Sequence, residues 1–304
     1  MPSTRIPKKE CLKRLRKTIE EGRPIIGVGC GAGIVGKCAE IGGADMLIIY
    51  SSGPSRFQGL PTQLPVRWGL GYGDYYMITT VLGQEVMAVT KNTPVIGGID
   101  PTDQFRSISK VVKDYAEIGF SGVINYPDRW IEMAVVYGQR DPRAEEIYLK
   151  PFGWGFDRDV ELIRIANEEE LLTVAYVYTP QQAEDMAKVG CDIIVPHVGW
   201  TTGGLVGFPK TLSLEDAAKL VDKMAEPALK VKNDIIVLAH GGPINDTDSV
   251  KYICEHSHAV GILSGSMIER IPVERAIIDT VKQFKSISLT PKKVESYLKR
   301  LSNF

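Results

Sequence analysis

No apolar run in this 304-residue chain approaches the roughly 18–20 residues that a membrane-spanning helix requires, so the sequence excludes a bilayer as its solvent. An excess of one charge is missing too: 36 basic residues stand against 37 acidic ones, a net charge of −1. No basic block with interleaved aromatics occurs, so there is no electrostatic footprint for nucleic acid. Cysteine is sparse, five residues at positions 11, 30, 38, 191 and 254, with no C-x-x-C. An odd, scattered set fits reduced thiols in a cytosol rather than a disulfide framework. The basic start, MPSTRIPKKECLKRLRK, lacks the apolar core of a secretory signal. These absences predict a cytoplasmic protein that works without nucleic acid or membrane.

What the chain does have is alternation. Short apolar runs at 24–29, 44–50, 94–99, 122–126, 172–178, 192–195, 235–239 and 259–263 read as buried strands. Helical patterns lie between them, at 34–41, 75–89, 103–118, 157–171, 180–189, 213–230 and from 246 onward. Strands that alternate with helices imply a parallel sheet, and eight units imply closure into a (β/α)8 TIM barrel. A doubly wound open sheet is the structural alternative. An extra helix at 8–22 precedes the barrel and covers its amino-terminal end; 272–284 closes the last unit, and a further amphipathic helix follows at 290–301. With no linker in view, residues 1–304 read as one domain, the barrel proper spanning about 23–287. Two long connections interrupt the pattern. The first, 51–74, carries Arg56, Phe57, Arg67 and Trp68; the second, 127–156, carries Trp130, Arg140, Arg143 and Trp154. Loops of that length are functional or disordered, and their aromatics make self-association into a homo-oligomer an expectation.

In a parallel barrel all eight carboxyl ends converge on one face, so polar residues at strand exits are the candidates for chemistry. They are Cys30, Tyr50, Ser51, Ser52, Asp100, Asn125, Tyr178, His197 and His240. His197 and His240 leave neighbouring strands and can share one ligand as acid and base. Asp100 can hold a divalent metal with waters and substrate oxygens, or close a turn with Pro101; Asp103 reads as a helix-start charge. The Asn125 amide can donate to a carbonyl or enolate oxygen, or serve loop backbone. Ser52 and Gly53 offer a hydroxyl and a close-approach backbone; Thr202 and Gly203 belong to a loop that is either a flap over His197 or a plain turn. Gly241, Gly242, Gly265 and Ser266 follow strands seven and eight, where barrels commonly seat anions. Cys30 reads more readily as a small buried thiol than as a nucleophile. Gly31-x-Gly33 is too short for a dinucleotide fingerprint, and no nucleotide cofactor is expected.

The strings IIGVGCGAG, ADMLIIYSSG, YGD, TPVIGGIDPTD, GFSGVINYP, PHVGWTTGG, IIVLAHGGPI and LSGSMIERIPVERAI occur in order from about residue 5 to about residue 287. Together they resemble the phosphoenolpyruvate hydrolase-like TIM-barrel family, which is similar more distantly to the phosphoenolpyruvate mutase/isocitrate lyase group. That resemblance implies Mg²⁺-assisted making or breaking of C–C and P–C bonds beside an oxoacid carbonyl. Ser52-Gly53 then matches the group's carboxylate- or phosphonate-binding Ser-Gly, and Asp100 its metal-linked aspartate. Asn125 stands where the group tends to carry an acid. The resulting expectation is a hydrolase or lyase acting on a small anionic oxoacid, with Mg²⁺ as the ion that the resemblance implies, the anion resting on Ser52 and on the amides of Gly241, Gly242, Gly265 and Ser266. A non-catalytic sensor of a phosphorylated metabolite is the alternative. An indole-glycerol-phosphate-synthase-like enzyme would want a lysine at a strand exit, and no exit supplies one.

Overall fold

In a computed structural model that describes residues 5–59, 74–127, 142–209 and 211–302, eight parallel strands form one sheet in the order β7-β6-β5-β4-β3-β2-β1-β8. The strands are β1 (Ile25–Gly29), β2 (Met46–Ile49), β3 (Val95–Ile99), β4 (Gly122–Asn125), β5 (Leu172–Val177), β6 (Ile193–Pro196), β7 (Ile236–Val237) and β8 (Gly261–Ser264). β8 pairs with β1 from Ile25↔Gly261 to Val28↔Ser264. The last seam is closed by Val260 N–H to Val237 O at 2.9 Å, and by Ala239 N–H to Gly261 O and Leu263 N–H to Ala239 O at 3.0 Å each. The result is the TIM-type barrel that the alternation predicted, not an open sheet. The labelled β7 is shorter than its apolar run, yet Leu238 still donates to Ile194 O at 3.0 Å, so the ladder continues towards His240.

Around the sheet run α1 (Lys8–Glu20), α2 (Gly33–Ile41), α3 (Gly53–Phe57), α4 (Tyr75–Val89), α5 (Ile108–Ile118), α6 (Pro142–Tyr148), α7 (Asp157–Glu168), α8 (Pro180–Lys188), α9 (Leu214–Val231), α10 (Thr247–His256), α11 (Ser266–Glu269), α12 (Ile271–Lys285) and α13 (Pro291–Leu301). Side-chain caps set several of their starts. α5 begins five residues later than its apolar pattern suggests because Ser107 caps the Lys110 amide. Asp103 is spent before that point, on the Phe105 N–H at 2.7 Å and on Arg106 at 2.9 Å. Asp246 and Ser249 form a reciprocal capping box at α10. Within the first long connection, α3 is a short helix that the sequence pattern did not suggest; Arg67, Trp68, Trp130 and Arg140 lie outside the described residues.

α1 closes the amino-terminal end of the barrel, as expected. Its Cys11 and Leu15 are buried, and Arg5 donates to the carbonyls of Glu169 and Glu170 at 2.7 and 2.8 Å. Lys8 pairs with Asp192 at 2.8 Å, and that carboxylate also accepts the amide and hydroxyl of Thr173 at 2.9 and 2.8 Å. No described helix is long and apolar enough to cross a membrane. Asp192 ties α1 to the amino ends of β5 and β6, and Asp192→Ala removes an acceptor from three donors, leaving the Thr173 amide unpaired and Lys8 with Asn167 alone. A loss of about 2–3 kcal/mol in urea unfolding is expected, since hydrogen bonds to a buried charge are worth that much; a loss under about 0.5 kcal/mol would show that α1 is held by its apolar face alone.

Candidate active site

Six of the eight carboxyl ends meet in one cleft of about 480 Å³, counted with its open mouth. β2 contributes Tyr50, β4 Tyr126, β5 Tyr176, β6 His197 and β7 His240, while the segment after β8 supplies Ser266 and Arg270. Arg56 on α3 and Trp200 from the loop after β6 complete the wall.

The two histidines come together: their ring centroids are 4.7 Å apart, and the backbones bridge through Val198 N–H to His240 O at 3.0 Å. Their neighbours fix opposite tautomers. The Gly199 N–H donates to His197 Nδ1 at 3.3 Å, so a neutral His197 carries its proton on Nε2. His240 Nδ1 lies 2.5 Å from the Leu263 carbonyl, an acceptor only, so its proton is on Nδ1 and Nε2 keeps a lone pair. Burial pushes the His240 imidazole down to about 4, against the upward pull of the Leu263 carbonyl, so it is neutral near pH 7. The Tyr176 hydroxyl stands 3.3 Å from His240 Nδ1 and 2.6 Å from the Tyr50 hydroxyl. Burial drives both phenols well above their usual range, so they act as neutral hydroxyls.

Opposite the histidines sits a buried ion pair. Arg56 Nε meets Glu269 Oε2 at 2.5 Å, with side chains 3% and 0% exposed. Arg56 Nη1 donates to Ser52 Oγ at 2.8 Å, and the Tyr126 hydroxyl donates to the same oxygen at 2.7 Å. Burial pushes the Glu269 carboxyl up and Arg56 draws it back down.

Other predicted site residues are placed differently. Asn125 is spent on the barrel wall: its amide donates to Asp159 at 2.8 Å and to Tyr176 O at 3.2 Å, and its oxygen accepts the Tyr176 N–H at 2.7 Å. Both of its hydrogens are used, which leaves none for an enolate oxygen. Ser52 serves Arg56 and Tyr126 as acceptor, and Gly53 is packed on Gly31, where a Cβ would fall 2.7 Å from the Gly31 Cα. Thr202 is held by Asn245 at 2.9 Å and by the Gly242 carbonyl, while the Gly203 carbonyl accepts from Arg270 at 3.0 Å. The Gly242 N–H is committed to Gly199 O at 2.7 Å, so it cannot join an anion cradle. Gly241, with φ +85°, lets the two loops touch, since a Cβ there would sit 1.9 Å from Gly199 O. Gly265 lies beside His240, and Ser266 lines the cleft. Cys30 is buried and its thiol is pushed up by that burial, which fits a packing role.

The donors for a metal do not assemble. Asp100 Oδ1 accepts both the amide and the hydroxyl of Thr102, at 2.8 and 2.6 Å. Among the described residues no three His, Cys, Asp or Glu side chains gather in metal-binding geometry. The described residues thus form no multi-carboxylate cage; Asp100 alone, completed by waters and substrate oxygens, is what they offer a Mg²⁺ ion. Arg56, Tyr126, Tyr176, Glu269, Trp200 and Arg270 were not among the predicted site residues. One usable signal was Ser52-Gly53-Pro54, a serine and an early proline where a helix starts. Another was the charged Glu269-Arg270 pair directly after an apolar strand.

Fold and cleft together define an α/β barrel with paired histidines and a buried arginine at its carboxyl-end mouth. The chain belongs to the phosphoenolpyruvate hydrolase-like family, whose model matches residues 10–287. It is 37% identical over 279 residues to the ToMV susceptible protein tm-1(GCR26) of Solanum lycopersicum, covering 91% of this chain and 35% of that protein. The chain thus spans little more than a third of that relative's length. Its fold is similar to that of oxaloacetate acetylhydrolase, with TM-score 0.55 and 14% identity over 97% of this chain and 92% of that one. It is similar also to a phosphonopyruvate hydrolase complex with oxalate and Mg²⁺, with TM-score 0.52 and 14% identity over 98% and 96% of the two chains. At such identities the likeness is one of fold.

The depressed His240 makes stability depend on pH. Unfolded, the ring protonates near 6.5, whereas folded it stays neutral to about 4. The unfolded chain binds the extra proton between those values, so stability is full above pH 6.5 and falls as pH drops towards 4, by up to roughly 3 kcal/mol. Denaturant melts across pH 4–7 check this, and His240→Asn is expected to flatten the slope; equal slopes in both proteins would assign the loss elsewhere.

Proposed function

We propose that this protein is an enzyme, a hydrolase or lyase that cleaves a C–C, P–C or P–O bond adjacent to the carbonyl of a small anionic oxoacid. The observation that supports this best is the histidine pair: two rings 4.7 Å apart, one whose Nδ1 accepts a backbone N–H and one whose Nε2 keeps a lone pair. For C–C cleavage, His240 takes a proton from the attacking water or from a substrate hydroxyl. The bond to the carbonyl-stabilised carbon then breaks with its electron pair staying on that fragment. The protonated His240 then returns that proton to the enolate carbon, while His197 Nε2–H donates a hydrogen bond to the enolate oxygen. Arg56 and Ser266 hold the anion in the cleft, and no step passes through a metal. A sensor without turnover is the second reading. It draws support from how many polar groups of the site (Ser52, Thr202, Gly242 and Asn125) are spent on the protein itself.

An NMR-monitored panel of oxoacids and phospho-oxoacids, with and without EDTA, tests the reaction. His197→Asn and His240→Asn are each expected to lower kcat by at least about 10²-fold while ligand binding survives. Turnover that persists in EDTA agrees with the described donors; its loss would bring Asp100 in as a metal donor. No turnover by the native protein on any substrate that it binds would leave the sensor reading.

Self-association is part of the same reading. α13 buries none of its side chains and α12 buries only Ile271, which leaves Ile277, Phe284, Leu298 and Leu301 each more than half exposed. The same chain carries an apolar groove, lined by Val28, Val35, Ala39, Phe57, Ile268 and Val273, that these helices do not fill. A second copy supplies the matching surface. Light scattering behind size exclusion is expected to give a dimer or larger, and Phe284→Glu with Leu298→Glu a monomer; a native monomer at tens of micromolar would refute the association.

A further inference from the structure

Two buried N–H donors of cleft-lining residues have no acceptor among the described residues: Arg56 Nη2 and Trp200 Nε1. Arg56 is 5% exposed and Trp200 7%, so bulk water does not serve them freely. Buried donors are almost always paired, and an exception at a binding cleft marks a place where a ligand completes the pairing. The arginine is not free to turn elsewhere. Glu269 holds its Nε and Ser52 its Nη1, which leaves Nη2 as the nitrogen this cleft-lining guanidinium has to offer. Trp200 stands near the other wall, its ring centroid 6.0 Å from His197 and perpendicular to it.

The charges nearby sharpen what such a ligand looks like. Arg56 is neutralised by Glu269, and Arg270, the other lining cation, is paired with Glu274 and with the Gly203 carbonyl. The cleft thus has directed hydrogen-bond donors but little net positive charge, so it discriminates by the placement of acceptor atoms more than by total charge. An indole N–H is a single neutral donor, suited to one oxygen lone pair.

Resting on the oxoacid reading of this site, we propose that Arg56 Nη2 and Trp200 Nε1 form a two-point receptor. Arg56 reads a carboxylate and Trp200 reads a second oxygen acceptor on the same small molecule. The site therefore selects α-oxo acids and dicarboxylates over monocarboxylates, and Trp200 is a specificity-determining residue.

Calorimetric titration with two probes tests this. Oxalate presents acceptors at both ends and acetate at one. Native protein is expected to bind oxalate at least thirtyfold more tightly than acetate. Trp200→Phe keeps an aromatic ring but loses the N–H, and is expected to weaken oxalate about tenfold while changing acetate less than twofold. Arg56→Lys, which retains charge without the planar fork, is expected to weaken both. A merely structural Trp200 would scale both probes together, so an unchanged oxalate-to-acetate ratio overturns the two-point receptor whether or not the variant is less stable. Oxalate binding that Trp200→Phe leaves intact overturns it while sparing the oxoacid reading. Native protein that binds neither probe overturns both.

Discussion

The cleft depends on one ion pair. Arg56 lies on the short helix after β2 and Glu269 on the one after β8, and their contact joins the two sides of β1 over its carboxyl end. Gly31, at the exit of β1, lies directly against Gly53 with no room for a side chain on either residue. Ser52 extends the lock to β4 by accepting from Tyr126. Three strand exits are thereby tied to a guanidinium that is almost entirely buried. Two charges so deeply buried recover their desolvation only through good geometry, and removing either one strands the other at a cost of about 3–5 kcal/mol. The pair is therefore as much a constraint on shape as a source of stability. It holds α3 in the one position where Arg56 lines the cleft.

Across from it, the histidines obey a different logic. A charged imidazole would lose more hydration on burial than the Leu263 carbonyl restores, so His240 stays neutral. The backbone orients both rings, through the Gly199 amide for His197 and the Leu263 carbonyl for His240. The two contacts come from different strands, β6 and β8, and yield one donor and one acceptor nitrogen. Tyr176 and Tyr50 reinforce this by offering neutral hydroxyls rather than charge.

The architecture was open to reading because its signal is redundant. Each buried run between helical patterns could be misplaced by a residue or two without changing the count, and the shifts that occurred have local causes, such as Ser107 capping α5 five residues into its apolar pattern. Chemistry is not redundant in that way. The strand-exit rule found His197 and His240 because imidazoles there are rare and the two strands are neighbours. It misjudged Asn125, which also stands at an exit, because an amide matches the backbone of the next strand as well as it matches a ligand. Arg56 was hidden in a stretch rich in glycine and proline, where a five-residue helix leaves no periodicity to detect. Tyr176 lies inside an apolar strand, and only the barrel's closure shows that its hydroxyl reaches the mouth.

The glycine-rich turns after β6 and β7 explain why side chains carry the site. Such runs suggest a cradle of free amides, yet here the two turns bind each other: Gly242 donates to Gly199, Thr202 donates to Gly242, and Asn245 donates to Thr202. The missing side chain at Gly241 permits backbone to approach backbone, because any Cβ there would collide with the Gly199 carbonyl. Arg270 then fastens the end of this loop through the Gly203 carbonyl. A backbone stitched to itself is rigid and has few donors left for a ligand. The donors that remain on this side belong to side chains that the stitched loops position, Trp200 among them. Rigidity of the turns and dependence on side-chain donors are two consequences of the same packing.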